Sequence, residues 1–396
     1  MPIIKPMHFM NELTISMITH YQSSGSLYLH SLLDGHPQIM TIPGVPELDP
    51  IINGSFDTAQ QALNIFNNAN IKFYDTSKMT LADLNTSGLH TLGKNADEGI
   101  ITDRTLFKQY FFECIHNEEF TPRNIIFSLY YAYAKSHEMD LNKKKVVLFH
   151  PHSVGRTLAI NNLFPGAKYL VTIRESVRGY HSRLQRMIEK AKVRNIAHSH
   201  LGLLADDANN VYEFLQNNMT MRIVKVEDLA QHSKYIMIKL CEYLDIDYNI
   251  TLEISSFGSK LYWGANPNYK SNKFMKKRHI NPSSLKRKEL LLFSIMNKEL
   301  NQITHYDSVQ LSYFERKIIF IWLFLPLSED YKWLNRAFYY NRYKGLLDYS
   351  GNHPSRILTI LRLIKERLIL LKIYIRNSHS KENYNKIKKY LINSNE

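Results

Sequence analysis

The chain has 396 residues, 44% apolar and 22% charged, proportions that support a packed core and exclude disorder over most of the length. Lysine and arginine number 50 against 36 aspartate and glutamate, a net charge of +14 that directs the chain toward anionic partners: nucleotides, anionic glycans, nucleic acid or acidic lipid surfaces. Cys114 and Cys241 are the only cysteines and lie far apart, which excludes a disulfide framework or a cysteine–zinc site and fits a reducing compartment.

The N-terminus has no uninterrupted apolar segment behind a basic start, so no signal peptide is expected and the chain reads as cytoplasmic. Four short β-rich runs follow one another along the sequence: Leu13 to His20, Lys145 to His150, Lys168 to Arg174 and Met221 to Val226. Each ends in polar residues and is followed by a helical pattern. Strand, polar turn and helix, repeated, predict an α/β fold with a central parallel β-sheet flanked by helices, whose ligands bind at the carboxyl ends of the strands. The length predicts one catalytic domain over residues 1–305 and a basic helical extension over 306–396.

In chain order, the first run leads into a short polar turn with one glycine, Gly25, and a helix from near Ser26. Amides at such a helix start point at whatever occupies the turn, and the helix dipole favours an anion there. Residues 88–95 (GLHTLGKN) nearly spell a Walker A loop, yet no strand precedes them and the final Ser or Thr is missing, so no phosphate cradle is expected. From Asp103 to His137 the apolar spacing is helical, with Phe107, Tyr110, Phe111 and Cys114 on one stripe; core packing and a pocket lining are both open.

The second run ends at His150, with Pro151 and His152 directly after it: two imidazoles suited to general-base chemistry near neutral pH, with Arg156 shortly after. No third ligand accompanies them, and no metal is expected. The third run delivers Arg174 at its carboxyl end, with Ser182 eight residues on. A guanidinium fork suits a phosphate monoester, and a serine early in the next helix adds a hydroxyl donor. After the fourth run, Asp228 to Leu244 predicts one capped amphipathic helix, and Ser255 to Ile280 a long polar loop or lid that carries Trp263.

The run Ile318 to Leu327 is half the length needed to span a bilayer and reads as a buried helix end. Residues 356–396 carry ten lysines and arginines against three glutamates, half of the net charge. The segment Arg356 to Arg376 is too charged to span a membrane; it suits an amphipathic helix on an anionic membrane face or a helix packed on the catalytic domain or a partner.

Ser24-Gly25-Ser26, followed by a helix ending in Asp34-Gly35-His36-Pro37, resembles the 5′-phosphosulfate loop of the sulfotransferases, typically Pro-Lys/Arg-Ser-Gly-Thr and then a helix ending in His-Pro. Arg174 to Ser182 is similar to that family's 3′-phosphate motif, with Ser176 in place of its proline. The segment from Val146 to Leu170 resembles the stretch that carries the family's histidine base, and Val226-Glu227-Asp228-Leu229 its Tyr-Glu-Asp-Leu, with valine in place of the tyrosine beside the nucleotide.

The resemblance implies sulfuryl transfer from 3′-phosphoadenosine 5′-phosphosulfate, a donor co-substrate, to a hydroxyl acceptor such as a glycan or lipid-linked sugar. It places Ser23, Ser24, Gly25, Ser26, Leu27, Arg174, Ser182 and Trp263 at the nucleotide and His152 or His150 as base, with Glu47 and Asp49 as alternatives. Two positions depart: the loop's basic residue is Ser23 and its proline Gln22. A serine offers a dipole but no charge to the leaving phosphate, so Arg156 enters as a candidate replacement. The rival expectation is a catalytically degenerate nucleotide-binding protein of the same fold. No aromatic-basic platform or helix-turn-helix supports a nucleic-acid binder.

Overall fold

The computed structural model describes residues 5–20, 24–80, 87–175 and 220–264, together with isolated positions at 179, 301–321, 360–375 and 390–392. Ser23, Ser182, the part of the expected loop beyond residue 264 and the side chain of His152 lie outside the described residues.

Five strands form one parallel sheet: β1 (Thr14–His20), β2 (Ile39–Thr41), β3 (Val146–Ser153), β4 (Lys168–Ile173) and β5 (Met221–Lys225), in the order β2-β3-β1-β4-β5. Both faces of a parallel sheet are covered, and the strands show it. On β3, Val146 and Leu148 pack with the helix α2 (Ser26–Leu33), while Val147 and Phe149 face the helices α5 (Arg104–Ile115) and α6 (Pro122–Ser136). The α/β class expected from the four β-rich runs is the fold observed. The short β2 was not anticipated, since three residues are too few for a period to register.

The helices begin where local chemistry starts them. Between β2 and α5, α3 (Asp49–Ile52) and α4 (Ala59–Ala69) follow the short helix α1 (Pro6–Glu12) in the numbering. Thr58 accepts from the Gln61 amide to cap α4, Asp103 accepts from Thr105 and Leu106 to cap α5, and Thr121 accepts from Asn124 beside Pro122 to cap α6. The aromatic stripe on α5 resolves as core: Phe107, Phe111 and Cys114 are buried among Phe66, Phe73 and Tyr133.

The single helix expected over Asp228 to Leu244 is two. After α7 (Val154–Asn161), which leaves β3, α8 (Val226–Gln231) and α9 (Ser233–Leu244) are separated at His232, whose backbone (φ −130, ψ 39) leaves the helical region. Asp228 does not cap; it sits inside the first turn of α8, near Lys225 Nζ at 3.6 Å. Ile321, expected within a buried helix end, is 58% exposed.

The end of the chain returns to the sheet. Leu391 bridges Ile223 in parallel, the Ile223 amide donates to Tyr390 O at 2.8 Å, and Ile392 N donates to Ile223 O at 3.0 Å. The outer edge of β5 is thereby partly paired.

Candidate active site

In this strand order β1 is central and the chain crosses to opposite sides of it, so the carboxyl ends of β1, β3 and β4 meet at a topological switch point. The loop after β1 is held there from both sides. Ser24 is fully buried, and its Oγ donates to Thr172 O at 2.6 Å, with Thr172 Oγ1 at 2.8 Å. Gly25 takes the left-handed conformation (φ 79, ψ 28) as it enters α2. A Cβ at Gly25 would stand 2.5 Å from Cγ2 of Val226, the first residue past β5. Only glycine therefore lets the loop reach across β4 to the end of β5. Among the described residues no side chain caps α2. Its first bonded amide is Tyr28 N, which donates to Gly25 O at 2.9 Å, so the amides of Ser26 and Leu27 stand ahead of the intrahelical ladder, the arrangement that favours a bound anion.

Arg174 follows β4 directly, and the next residue ties this corner together: Glu175 N donates to Glu227 Oε1 at 3.3 Å. Glu227 Oε2 accepts from Tyr306 OH at 2.6 Å, and Lys225 Nζ lies 5.3 Å from the Tyr306 ring centre. Burial, then the Glu227 charge, pushes the Tyr306 hydroxyl far above its ordinary range, so it stays a donor.

At the end of β3 the ladder slips: Met17 pairs with Phe149, but Thr19 pairs with His152. The extra residue falls at the Pro151 step, where no amide is available to the ladder. Before the slip, the buried His150 turns toward α2, where its Nδ1 lies 3.1 Å from Nδ1 of the equally buried His30. His30 Nε2 meets Thr41 Oγ1 at 2.8 Å. Burial lowers both imidazoles, His30 to about 3 and His150 well below its ordinary value, with the neighbouring His30 and His20 lowering His150 further.

Arg156, near the start of α7, is committed to carboxylates: Nη2 lies 2.9 Å from both Glu47 Oε2 and Asp49 Oδ2. The candidate cation and the two alternative bases thus form one cluster. Asp49 is nonetheless raised, because burial outweighs the arginine.

The loop expected over 255–280 begins as a hairpin, β6 (Ser256–Phe257) with β7 (Lys260–Leu261). The Walker-like segment serves as its dock: Gly93 N donates to Leu261 O at 2.9 Å, Leu92 bridges Tyr262, and Trp263 Nε1 donates to Gly93 O. The Trp263 indole N–H is thereby spent on the hairpin's own anchorage. Phe257 meets His30 edge-on at 5.0 Å, and Leu27 packs beside Phe257 and Tyr262, so the hairpin covers the start of α2.

The sequence model of the sulfotransferase family matches residues 17–249, more than half of the chain. The chain belongs to the sulfotransferase family. Among solved structures, the sulfotransferase domain from the curacin biosynthetic pathway is similar at 17% identity and a TM-score of 0.34, over 61% of this chain and 76% of that one. The sulfotransferase domain from the olefin synthase of Synechococcus PCC 7002 is similar at 14% identity and a TM-score of 0.32, over the same shares. A comparison with curated proteins returned no match.

Several residues that shape this sulfotransferase site carried no signal of their own in the sequence. His30 stands inside the loop-helix motif but reads as one polar residue of a helix. Thr172 and Tyr306 join the site only because the fold brings β4 beside β1 and Tyr306 onto Glu227. Thr41 sits in a strand of three residues.

Proposed function

We propose that this member of the sulfotransferase family transfers a sulfuryl group from 3′-phosphoadenosine 5′-phosphosulfate to a hydroxyl acceptor. The observation that carries the reading is the meeting of the Gly25 turn and α2 amides with Arg174 at one sheet edge, held together by Ser24–Thr172 and Gly25–Val226. Amides of Ser24 to Leu27 suit the 5′ end, and Arg174 with Ser182 the 3′-phosphate. Ser23 belongs to the same loop.

The acceptor oxygen attacks sulfur as the bond to the bridging phosphate oxygen breaks. The acceptor proton passes to a histidine at the end of β3, His152 or His150. The products are a sulfate ester and 3′-phosphoadenosine 5′-phosphate. Charge developing on the leaving phosphate is met by helix amides. Arg156 would add to this only by loosening one of its two carboxylates. Trp263 enters as a residue that holds the hairpin near the nucleotide. A glycan or lipid-linked sugar is the acceptor class that the family resemblance implies, with no metal in the scheme.

A second surface supports membrane contact. Leu361, Ile364, Leu368 and Ile375, at helical positions along one side, are 40–56% exposed with Ile360, and Lys365 and Lys372 lie exposed among them. An apolar stripe edged by lysines suits the face of an anionic bilayer. Among the described residues no helix is long and apolar enough to cross one.

The test is a titration of 3′-phosphoadenosine 5′-phosphate and adenosine 5′-phosphate against wild type and Arg174→Ala. Wild type should prefer the 3′-phosphorylated ligand, and the variant should lose that preference. Absence of the preference in wild type overturns the reading. Binding without transfer of radiolabelled sulfate to any of a panel of hydroxyl acceptors would favour the degenerate nucleotide-binding protein instead.

A further inference from the structure

A buried line of polar side chains runs beneath the loop helix from β3 to β2, and of its members the proposed transfer uses only His150. Thr41 Oγ1 donates to Leu148 O at 2.9 Å, His30 Nε2 lies 2.8 Å from Thr41 Oγ1, and His30 Nδ1 lies 3.1 Å from His150 Nδ1. The direction of each bond follows from what each atom can do. A carbonyl only accepts, so the single hydroxyl proton of Thr41 goes to Leu148 and the Thr41 oxygen accepts. His30 must then carry its proton on Nε2, which leaves Nδ1 as a lone pair. Two ring nitrogens at 3.1 Å need a proton between them, and with His30 Nδ1 bare that proton belongs to His150 Nδ1. Neutral His150 therefore has its lone pair on Nε2.

We propose that His30 is a positioning residue: oriented by Thr41, it holds His150 as the Nδ1–H tautomer and makes Nε2 the basic nitrogen at the end of β3. The tautomers rest on the Leu148–Thr41–His30–His150 contacts; their catalytic meaning rests on the histidine-base reading of the proposed function.

The surroundings support the role. Phe257 closes over His30 from the hairpin. The groups that bear on the charge of the pair are His20 at the end of β1 and His30, both of which lower His150, and the Gly44 carbonyl, which works against burial at both rings. Burial wins, so the rings stay neutral at pH 7 and the relay keeps its polarity. An anionic nucleotide arriving at the same sheet edge would raise His150 toward a useful basicity.

The experiment uses the full chain labelled with ¹⁵N-histidine and long-range ¹H–¹⁵N correlations at pH 7.5, which report the protonated nitrogen of each ring. His30 should appear as Nε2–H and His150 as Nδ1–H, opposite tautomers in one protein. His30→Gln, which keeps an acceptor, should leave His150 as Nδ1–H, and His30→Leu should release it. Should the leucine variant fail to fold, the isosteric Thr41→Val provides the test, and it should convert His30 to a mixture of tautomers. His150 as Nε2–H in wild type, or unchanged pure tautomers in Thr41→Val, would overturn the proposal. With any acceptor that is sulfated, His30→Leu should lower kcat by about tenfold or more, within the contribution of a positioned base. The KM for the nucleotide should hold, and glutamine should restore most of the rate. A wild type that fails to bind 3′-phosphoadenosine 5′-phosphate while showing opposite tautomers would sink the transferase reading and leave the relay standing.

Discussion

Ser24 Oγ donates to the Thr172 carbonyl at 2.6 Å, across 148 residues of sequence, and both side chains are fully buried. The hydroxyl therefore ties the loop after β1 to the end of β4. Ser24→Ala leaves Thr172 without this partner in a dry environment and should cost about 1–3 kcal/mol. Urea unfolding of Ser24→Ala, Thr172→Val and the double variant should give a non-zero coupling energy. Thr172→Val keeps the carbonyl acceptor, so the cycle reads the hydroxyl–hydroxyl contact at 2.8 Å, and strict additivity would mean that this contact contributes nothing.

Gly25 admits no side chain for two separable reasons: its φ of 79, and Val226 Cγ2, which would lie 2.5 Å from an added Cβ. Gly25→Ala should destabilise the chain by about 1–3 kcal/mol and weaken nucleotide binding. Val226→Ala relieves the approach but not the backbone strain, so the double variant should be less damaged than the sum of the singles. Calorimetric melting checks it; a simple sum would assign the whole effect to φ.

The pH dependence of stability carries the mark of the buried imidazoles. His30 falls to about 3 in the folded chain and His150 moves the same way. Below about pH 6.5 the unfolded imidazoles take up protons while the folded ones do not, so stability is complete above that pH and is lost on descent toward 3. Each histidine contributes a slope approaching about 1.4 kcal/mol per pH unit. Urea midpoints between pH 7.5 and 5 should fall less steeply in His30→Gln than in wild type. Parallel slopes would show that His30 titrates normally.

Asp34 behaves oppositely. Burial raises its carboxyl to about 7, against the Gly258 amide that donates to Oδ2 at 2.8 Å and the Lys144 charge. The unfolded carboxyl ionises near 3.8, so the stability from its protonated form is present below that pH and is lost as pH rises through about 7. Asp34→Asn keeps an acceptor for Gly258 without a charge. It should melt higher than wild type at pH 7.5, with the difference gone by pH 4. A lower melting temperature at pH 7.5 would mean that attraction to Lys144 outweighs burial.

Sequence period and turn chemistry alone were enough for the parallel α/β class and for the strand ends that hold Gly25, His150 and Arg174. Alternation and capping act over a few residues, and the loop-helix and strand-arginine motifs keep their spacing within single βα units. The continuous apolar period over Asp228 to Leu244 concealed the break at His232, because a change of backbone direction leaves the hydrophobic spacing intact. Tertiary structure alone decided that Ser24 meets Thr172, that Val226 closes on Gly25, that Arg156 spends its charge on Glu47 and Asp49, and that His30 faces His150. These pairs lie far apart in the chain, and what joins them is the order β2-β3-β1-β4-β5. A local pattern says that a strand exists and which residues alternate; it carries no term for which strand lies beside it.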